Sequence, residues 1–461
     1  MSMLNIGTSA LLTAQGALST ASHNISNANT EGYTRQRTTQ STNFPDYQGG
    51  YYIGSGVQIS GVQRIFDEFL SDEVNTYTSQ TSQQETFLTF ARQVDDLLGS
   101  EELGLNTGME QFFNSIHEVA NDPTAISARQ VMMTQGALLA DRFNTLDSQM
   151  RSFDKQIDSE IEVVIDDINT LTRGIAELNQ AINATHSSVD NPPNDLLDQR
   201  DRLINKLSEY VSVSTVRDAN GSLNVFVGTG QVLVSGANSI DLSVIETTTS
   251  PVRNSIGYGP AKIDISEQLT GGSLGGALQV RSEILDTVRS KLSELAFSVV
   301  DVFNNQHQAG IDLDGNAGGL FFGDLSAIAT GDYAGAISVA MTDPRKIAAS
   351  SVTNSGVGNN ENAVVLADLQ VTKTLVGGTQ TFADGFSAIV ANIATRTHQA
   401  DLGYQSQEGL LNQVKLRFDS VSGVNLDEEA ANLIKFQQAY QAASQIINVS
   451  NTVFNALINA V

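Results

Sequence analysis

Residues 157–182 carry an apolar repeat that leaves few folds open to this chain. Two sets of positions each recur every seven residues, and the second follows the first by four: Ile157, Val164, Leu171 and Leu178, then Ile161, Ile168, Ile175 and Ile182. An unbroken run of this kind is typical of a coiled-coil helix. Pro123 suits the start of the helix and Pro192-Pro193 stops it, so the pattern predicts a helix over 124–184, about 90 Å long at 1.5 Å per residue. A rod of that length suits a structural protein better than a compact enzyme.

Both ends of the chain show the same period of seven. The N-terminal positions are Leu4, Leu11, Leu18 and Ile25, and the C-terminal ones are Leu426, Leu433, Tyr440, Ile447, Phe454 and Val461. Small residues at Ala14, Ala21 and Ala28 accompany the first set and allow a partner helix to approach closely. We predict that the two ends pair with each other and with neighbouring copies, and that these positions form an assembly interface. The alternative is that both ends are ordinary amphipathic core helices.

Terminal segments of this length cannot bury their apolar stripes alone. We therefore expect them to be disordered in the monomer and to fold on assembly.

The middle of the chain changes from helical to alternating periodicity and back. Valine and leucine alternate with polar residues around Asn220-Gly221, a dipeptide suited to a hairpin turn, and short strands are expected near 232–234, 240–244 and 262–265. Helical patterns cover about 72–98, 276–308, 362–375 and 382–418. The predicted fold class is mainly α with an inserted β-rich domain, with long coiled-coil helices and paired N- and C-terminal helices.

The order of these elements predicts three nested domains. Residues 1–35 and 425–461 form a terminal helical domain. Residues 36–210, 275–310 and 360–424 form a long-helix coiled-coil domain, and residues 211–274 and 311–359 form a β-rich outer domain. A chain of 461 residues is long enough for two to four domains.

Composition excludes several classes of protein. The net charge of −26 and the pI near 4.4 argue against nucleic acid and anionic membranes as partners, because both select clustered Lys and Arg. The absence of cysteine excludes disulfides, thiolate nucleophiles and Cys-ligated metals. Apolar runs stop short of the ~18 residues of a membrane span, and the N-terminus lacks the basic region of a secretory signal.

One segment fits a hydrolase motif. Gly271-Gly272-Ser273-Leu274-Gly275 matches G-x-S-x-G, in which a serine nucleophile follows a strand and opens a helix. His307 and His398 follow it but lack an obvious acidic partner. A glycine-rich turn is the simpler interpretation, and a secreted serine hydrolase using Ser273 is the alternative from another class.

Two segments resemble metal sites incompletely. His117-Glu118 begins like H-E-x-x-H, but Asn121 replaces the second histidine. Asp312-Leu313-Asp314-Gly315 resembles a calcium loop but lacks its sixth-position Gly and its final Glu, so an acidic turn is favoured over a Ca²⁺ site. We predict no catalytic residue, no metal and no cofactor.

Four segments carry a family resemblance. SHNISNANTEGYTRQ at 22–36 resembles the N-terminal signature of flagellar axial proteins, the rod, hook and hook-associated subunits. PNDLLDQRD at 193–201, GSLGG at 272–276 and SVSGVNLDEE at 420–429 resemble the hook-associated members in particular. A hook or distal-rod subunit is the runner-up, because the first segment fits those proteins too.

The resemblance implies a structural function. Such a protein forms the ring that joins the hook to the filament, with the terminal helices lining an inner tube. Its implied partners are further copies of itself, the hook protein, a second junction protein and an export chaperone at the C-terminal helix. The implied location is the extracellular flagellum, reached by type III export without a cleaved signal peptide. Only about fifty residues separate Ile311 from Asn362, so we expect the outermost domain to be reduced or absent.

Overall fold

The computed structural model describes residues 3–48, 50–100, 104–185, 192–218, 221–247, 252–329 and 331–459. The two ends form long helices, α1 (Met3–Asn27) and α10 (Leu426–Asn459), which pack against each other. They run antiparallel, because Gly7 near the start of α1 faces Ile447 near the end of α10, while Arg35 binds Glu428 at the start of α10. The predicted pairing of the terminal helices is confirmed.

A small β region covers another side of α1. Strands β1 (Gln36–Thr42) and β4 (Val57–Arg64) pair antiparallel, and β2 (Asp46–Gln48) pairs with β3 (Tyr51–Ile53) at the tip between them. Gly16 of α1 lies under the Ile59 side chain, and the Thr13 hydroxyl donates to the Val57 carbonyl. Residues 36–64 were grouped with the long-helix domain, but they form two hairpins that the sequence analysis did not predict.

The helical body consists of the remaining eight helices of the described residues. These are α2 (Glu68–Leu98), α3 (Leu105–Asn121), α4 (Ile126–Thr185), α5 (Asn194–Tyr210), α6 (Gly272–Val280), α7 (Asp286–Gln308), α8 (Glu361–Asp368) and α9 (Phe382–Ser422). A single π-helical turn at Arg281–Leu285 connects α6 and α7. Helix α2 packs lengthwise against α9 and also contacts α6, while α3 packs on α4 and α8.

The long helix α4 has 60 residues, which corresponds to about 90 Å. It begins two residues later than predicted, because Asp122 accepts from the Thr124 backbone and hydroxyl in a tight turn before the helix. Six of the eight repeat positions are fully buried: Ile157, Ile161, Val164, Ile168, Ile175 and Ile182. Shorter elements cover the stripe, chiefly α5, α6 and the strands of the inserted β region.

The inserted β region forms two antiparallel sheets. Strands β5 (Val213–Arg217), β6 (Leu223–Val227), β7 (Gln231–Ser235) and β8 (Asn238–Ser239) make one, and β9 (Leu242–Glu246), β10 (Asn254–Tyr258) and β11 (Ile263–Asp264) make the other. The predicted hairpin is confirmed by the pairing of β5 with β6, although Asn220 of its turn lies outside the described residues. Two buried asparagines of α4 fix the sheets in place: Asn169 exchanges hydrogen bonds with the Leu242 backbone, and Asn179 with that of Leu223.

Residues 310–359 pack on the helices, away from those two sheets. The short strands β12 (Gly310–Ile311) and β13 (Ser350–Ser351) pair with each other. Phe321 and Phe322 lie against Phe112 of α3 and Phe303 of α7, with ring centroids 5.1–5.7 Å apart. The predicted grouping of 311–359 with 211–274 stays a prediction, and the complete burial of Phe321 and Phe322 against α3 and α7 favours placing 311–359 with the helical body. The other domain boundaries stay a prediction. Among the described residues, no helix is long and apolar enough to cross a membrane.

Candidate functional site

The ten predicted interface residues divide between a half-buried and an exposed set. Leu11, Leu18, Ile25, Leu433 and Ile447 are half-buried, whereas Leu4, Leu426, Tyr440 and Phe454 are exposed; Val461 lies outside the described residues. The structure therefore brings α1 and α10 together without burying the large residues of the repeat completely.

Small residues are among the most deeply buried positions of the two helices. Gly7, Ala14, Ala17 and Ala21 of α1 are buried, and Ala443 of α10 is 2% exposed. A Cβ atom on Gly7 would lie 2.9 Å from Cγ1 of Ile447, closer than two carbon atoms pack. The sequence analysis noted Ala14 and Ala21 as companions of the leucines, but it missed Gly7 and Ala17. Gly7 lies seven residues before Ala14, and Ala17 lies three residues after Ala14 and four before Ala21. This spacing could have identified both residues from the sequence.

A second apolar surface of the pair faces away from the rest of the molecule. We call it the outer stripe: Ile434, Val449 and Val453 of α10, each more than half exposed and on the side of α10 opposite Ile447. None of the three belongs to the predicted set. Phe454 of that set is also exposed, but it follows Ile447 by seven residues and so lies on the face of α10 that packs on α1. No charged residue occurs between Phe436 and the end of α10, and none occurs in α1. Several large apolar side chains exposed on one face of a helix mark an interaction site.

A polar cluster attaches the terminal helix pair to the helical body. It consists of Thr34, Arg35, Arg64, Asp198, Glu428 and Glu429. The buried Asp198 carboxylate accepts from the Thr34 backbone at 3.0 Å, from the Thr34 hydroxyl at 2.6 Å and from Arg64 at 3.0 Å. Arg64 also donates to Asp201 at 2.6 Å.

Arg35 ties the end of α1 to the start of α10. Its guanidinium donates two hydrogen bonds to Glu428, at 2.7 and 2.9 Å, and one to Glu429 at 2.7 Å. Its backbone N–H donates to the Ser422 carbonyl at 2.8 Å. A bidentate Arg–carboxylate pair fixes orientation as well as distance, so the two helices are held in one register.

Burial and charge act in opposite directions within this cluster. Burial raises the pKa of Asp198 above its usual range, although the hydrogen bonds from Thr34 and Arg64 oppose the shift. Burial and the nearby Asp195, Asp198 and Glu429 raise the pKa of Tyr33, whose hydroxyl donates to Asn24 at 2.7 Å. Arg35 lowers the pKa of Glu428.

Three of the four segments that carry the family resemblance meet at this cluster. Residues 22–36 supply Thr34 and Arg35, residues 193–201 supply Asp198, and residues 420–429 supply both glutamates. The sequence analysis used these segments only as family markers. It missed Arg64, because this arginine ends a strand that was not predicted and no motif points to it. The cluster positions the terminal helix pair against the helical body.

The fourth segment is a tight turn. Gly271 and Gly272 have φ values of 73° and 61°, and a Cβ on Gly272 would lie 2.1 Å from the Tyr210 carbonyl carbon. Ser273 Oγ has no hydrogen-bond partner among the described residues. His398 is exposed, and His307 is buried between the Gly319 carbonyl and the Ala348 N–H, so neither pairs with Ser273. The glycines are explained by backbone packing.

The residues of the two incomplete metal motifs have other partners or point to solvent, and Asp312 is buried. Asp312 binds the backbone of Asp314 and Asn316 within its turn, and Lys346 lies 3.2 Å from it. Asp314 pairs with Arg345 and Lys346, which lower its pKa to about 2. His117 is exposed on α3. Within the described ranges, no three His, Asp or Glu side chains are grouped as metal ligands.

A long helical rod with paired ends and an exposed apolar terminal surface defines a structural subunit of a larger assembly. Comparison with known families makes that assembly the bacterial flagellum. A model described as "Flagella basal body rod protein" matches residues 4–34, and one described as "Flagellar basal body rod FlgEFG protein C-terminal" matches 417–460. The model "Flagellar hook-associated protein FlgK helical domain" matches 91–322.

The chain belongs to the flagellar hook-associated protein 1 (FlgK) family and is a flagellar structural protein. It is 31% identical to flagellar hook-associated protein 1 of Escherichia coli K12, over 99% of each chain, and 28% identical to that of Bacillus subtilis 168, over 98% and 96%. The first alignment extends over 543 positions, so the E. coli relative carries residues that this chain of 461 lacks.

A solved structure shares the fold. It is described as "The structure of the flagellar hook junction protein FlgK from Burkholderia pseudomallei" and superposes with a TM-score of 0.70 at 20% identity. The match covers 76% of this chain and all of that one. The fold class predicted from the sequence, mainly α with an inserted β region, is confirmed.

Proposed function

We propose that this chain forms the ring between the hook and the filament and that copies join through the terminal helix pair. The observation that carries the proposal is the outer stripe, because a helix pair gains nothing from exposing Ile434, Val449 and Val453 unless another surface covers them. Burying apolar area at about 25 cal/mol per Å² is the dominant favourable term in such association.

The polar cluster supports the same function. It fixes the terminal pair to the helical body, so that every copy presents its outer stripe at the same angle. A ring closes only if each copy repeats one geometry. Terminal helices attached by a flexible joint would not give every copy the same geometry.

The proposed partners are further copies of this chain, the hook protein on one side and a second junction protein on the other. An export chaperone is proposed at α10, whose apolar surface needs cover before assembly. The protein reaches the extracellular flagellum by export without a cleaved signal peptide. No catalytic activity belongs to this function.

Immunogold labelling of intact flagella tests the location. A single band between hook and filament is the expected result. Label along the whole hook or rod would favour a hook or distal-rod subunit, a second candidate supported by the rod-protein models that match both ends of the chain. Label in the medium or the cell body alone would overturn both.

A further inference from the structure

An aromatic surface lies outside the terminal helix pair. The chain has 19 Phe and 10 Tyr, and four of these occur between residues 44 and 52. We call the aromatic hairpin the exposed side chains on and beside β2 and β3: Phe44, Tyr47, Tyr51, Tyr52 and Ile53. Phe44 is 94% exposed, and Tyr51 and Tyr52 are each 76% exposed. Aromatic side chains that expose so much surface are the residue type that dominates protein interfaces.

The aromatic hairpin has a defined position relative to α1. Tyr47 and Tyr52 pack against each other across the hairpin, with ring centroids 5.1 Å apart. A groove of about 390 Å³ separates the hairpin from α1 and is lined by Asn5, Ile6, Ser9, Leu12, Ile53 and Gly54 among others. The hairpin and α10 lie on different sides of α1, because Gly7 faces Ile447 while Ser9 faces Gly56.

Charge restricts what can cover this surface. The chain carries a net charge of −26, yet between residues 38 and 63 the only charged residue is Asp46. Val449 and Val453 of the outer stripe lie in the part of α10 that has no charged residue, and Ile434 lies next to Lys435. Two copies repel each other wherever their acidic surfaces meet, and repulsion is weakest where these uncharged surfaces meet.

We propose that the aromatic hairpin and its groove receive the outer stripe of α10 from a second copy of this chain. The inference deepens the proposed function: it supplies the other half of the interface. A ring needs a head-to-tail contact between two different patches, and the outer stripe alone is one patch. The hairpin is the complementary patch: it exposes aromatic side chains beside a groove whose lining is largely polar, and Asp46 is the only charged residue in that lining.

Cysteine pairing between copies tests the contact directly, since the chain has no cysteine of its own. Two single-cysteine chains of different mass, Ile53→Cys and Val453→Cys, are produced together, and flagella are isolated and oxidised. We expect a disulfide-linked species of mixed mass. Val371→Cys replaces Ile53→Cys in the control pair, because Val371 is also exposed (72%) but lies on the turn after α8. An equal yield from the control pair, or no mixed species from the first pair, would overturn the proposal.

Competition for assembly provides a second measurement. A tagged chain with Phe44→Ser, Tyr51→Ser and Tyr52→Ser is produced beside the untagged natural chain, and their ratio in flagella is divided by their ratio in the cells. If these aromatic side chains lie in the interface, the variant should be depleted at least tenfold in flagella relative to the natural chain. A tenfold depletion corresponds to a loss of ~1.4 kcal/mol of binding free energy. Phe69→Ser, at an exposed site on α2, is the matched control and should assemble normally.

The two proposals fail in different ways. If the natural chain itself is absent from the junction, the proposed function fails, and this inference fails with it. If the natural chain forms the ring and the triple-serine chain enters it equally well, only the inference about the aromatic hairpin is overturned.

Discussion

Asp198 accepts hydrogen bonds from two other segments of the chain, and this makes it the most informative single residue of the polar cluster. Asp198→Asn leaves one acceptor oxygen for the Thr34 and Arg64 donors and turns an N–H₂ group toward them. We expect the free energy of unfolding to fall by about 2–4 kcal/mol, measured by urea denaturation followed by circular dichroism. Asp201→Asn is the control, because Asp201 is more exposed and binds Arg64 alone among this group. Equal losses for the two variants would contradict the central position of Asp198.

His307 makes stability depend on pH. It is buried, and desolvation lowers its pKa from 6.5 to about 4, so the folded protein keeps the ring neutral while the unfolded chain protonates it. Between pH 6.5 and 4 the unfolded state therefore binds more protons, and stability falls as the pH falls through this window, by up to about 3 kcal/mol. In His307→Gln this contribution disappears, so the slope of unfolding free energy against pH becomes shallower. The exposed His117→Gln should keep the natural slope, and identical slopes for all three proteins would refute the assignment.

The terminal helices show how far a sequence pattern reaches at the scale of an element. The period of seven predicted both helices and their pairing, but not which side of each helix is covered. The contact is made by Gly7 and the alanines, while large residues such as Phe454 stay exposed. A repeat shows which residues lie on one side of a helix. It does not show which neighbour that side faces, because the rotation of the helix about its axis depends on the elements that pack on its other sides, here β1 and β4. Strand β1 was missed because Gln36–Thr42 is a run of polar residues without an apolar alternation, whereas β4 (Val57–Arg64) does alternate at Val57 and Ile59, a signal that the prediction did not use.

Ile447 tests the pairing of the two helices. Its side chain packs at Gly7, so Ile447→Asp places a charge in the seam between α1 and α10. We expect the variant to be absent from isolated flagella, while the helical body still melts cooperatively by circular dichroism. Ser159→Asp adds the same charge to an exposed position of α4 and should assemble. Normal incorporation of Ile447→Asp would show that the seam is dispensable for assembly.

The exposed outer stripe also predicts how the ends behave before assembly. A helix pair with one apolar face uncovered is weakly stabilised, so the monomer should lose both ends quickly to protease. Trypsin is unsuitable because neither α1 nor the segment after Lys435 contains Lys or Arg. Chymotrypsin, which can cut at Tyr440 and Phe454, should trim the monomer and leave the chain in intact flagella uncut. Equal resistance in both forms would contradict folding on assembly.

At the scale of the whole molecule, the distribution of charge separates the surface that assembles from the surface that keeps copies apart. The 51 acidic residues lie almost entirely in the segments between the ends, and the terminal helices together carry few, at the start of α10. Some of these acids are paired inside the chain, as Glu428 and Glu429 are with Arg35. The remaining negative charges repel a second copy of the chain in most orientations. The repulsion is weakest in the orientation that brings the uncharged surfaces of the two copies together. Orientation is therefore selected by repulsion as well as by apolar contact.

This balance predicts that salt strengthens assembly. The Debye length falls from about 30 Å at 0.01 M salt to about 8 Å at 0.15 M, which screens the repulsion between copies of charge −26. Apolar contacts between the outer stripe and its partner surface are not weakened by the same change. We expect sedimentation velocity of the purified chain to show a several-fold larger associated fraction at 0.15 M NaCl than at 0.01 M, and sucrose of equal osmolarity to have little effect. A decrease with salt would mean that ion pairs between copies hold the assembly, and it would move the interface from the uncharged ends to the charged body.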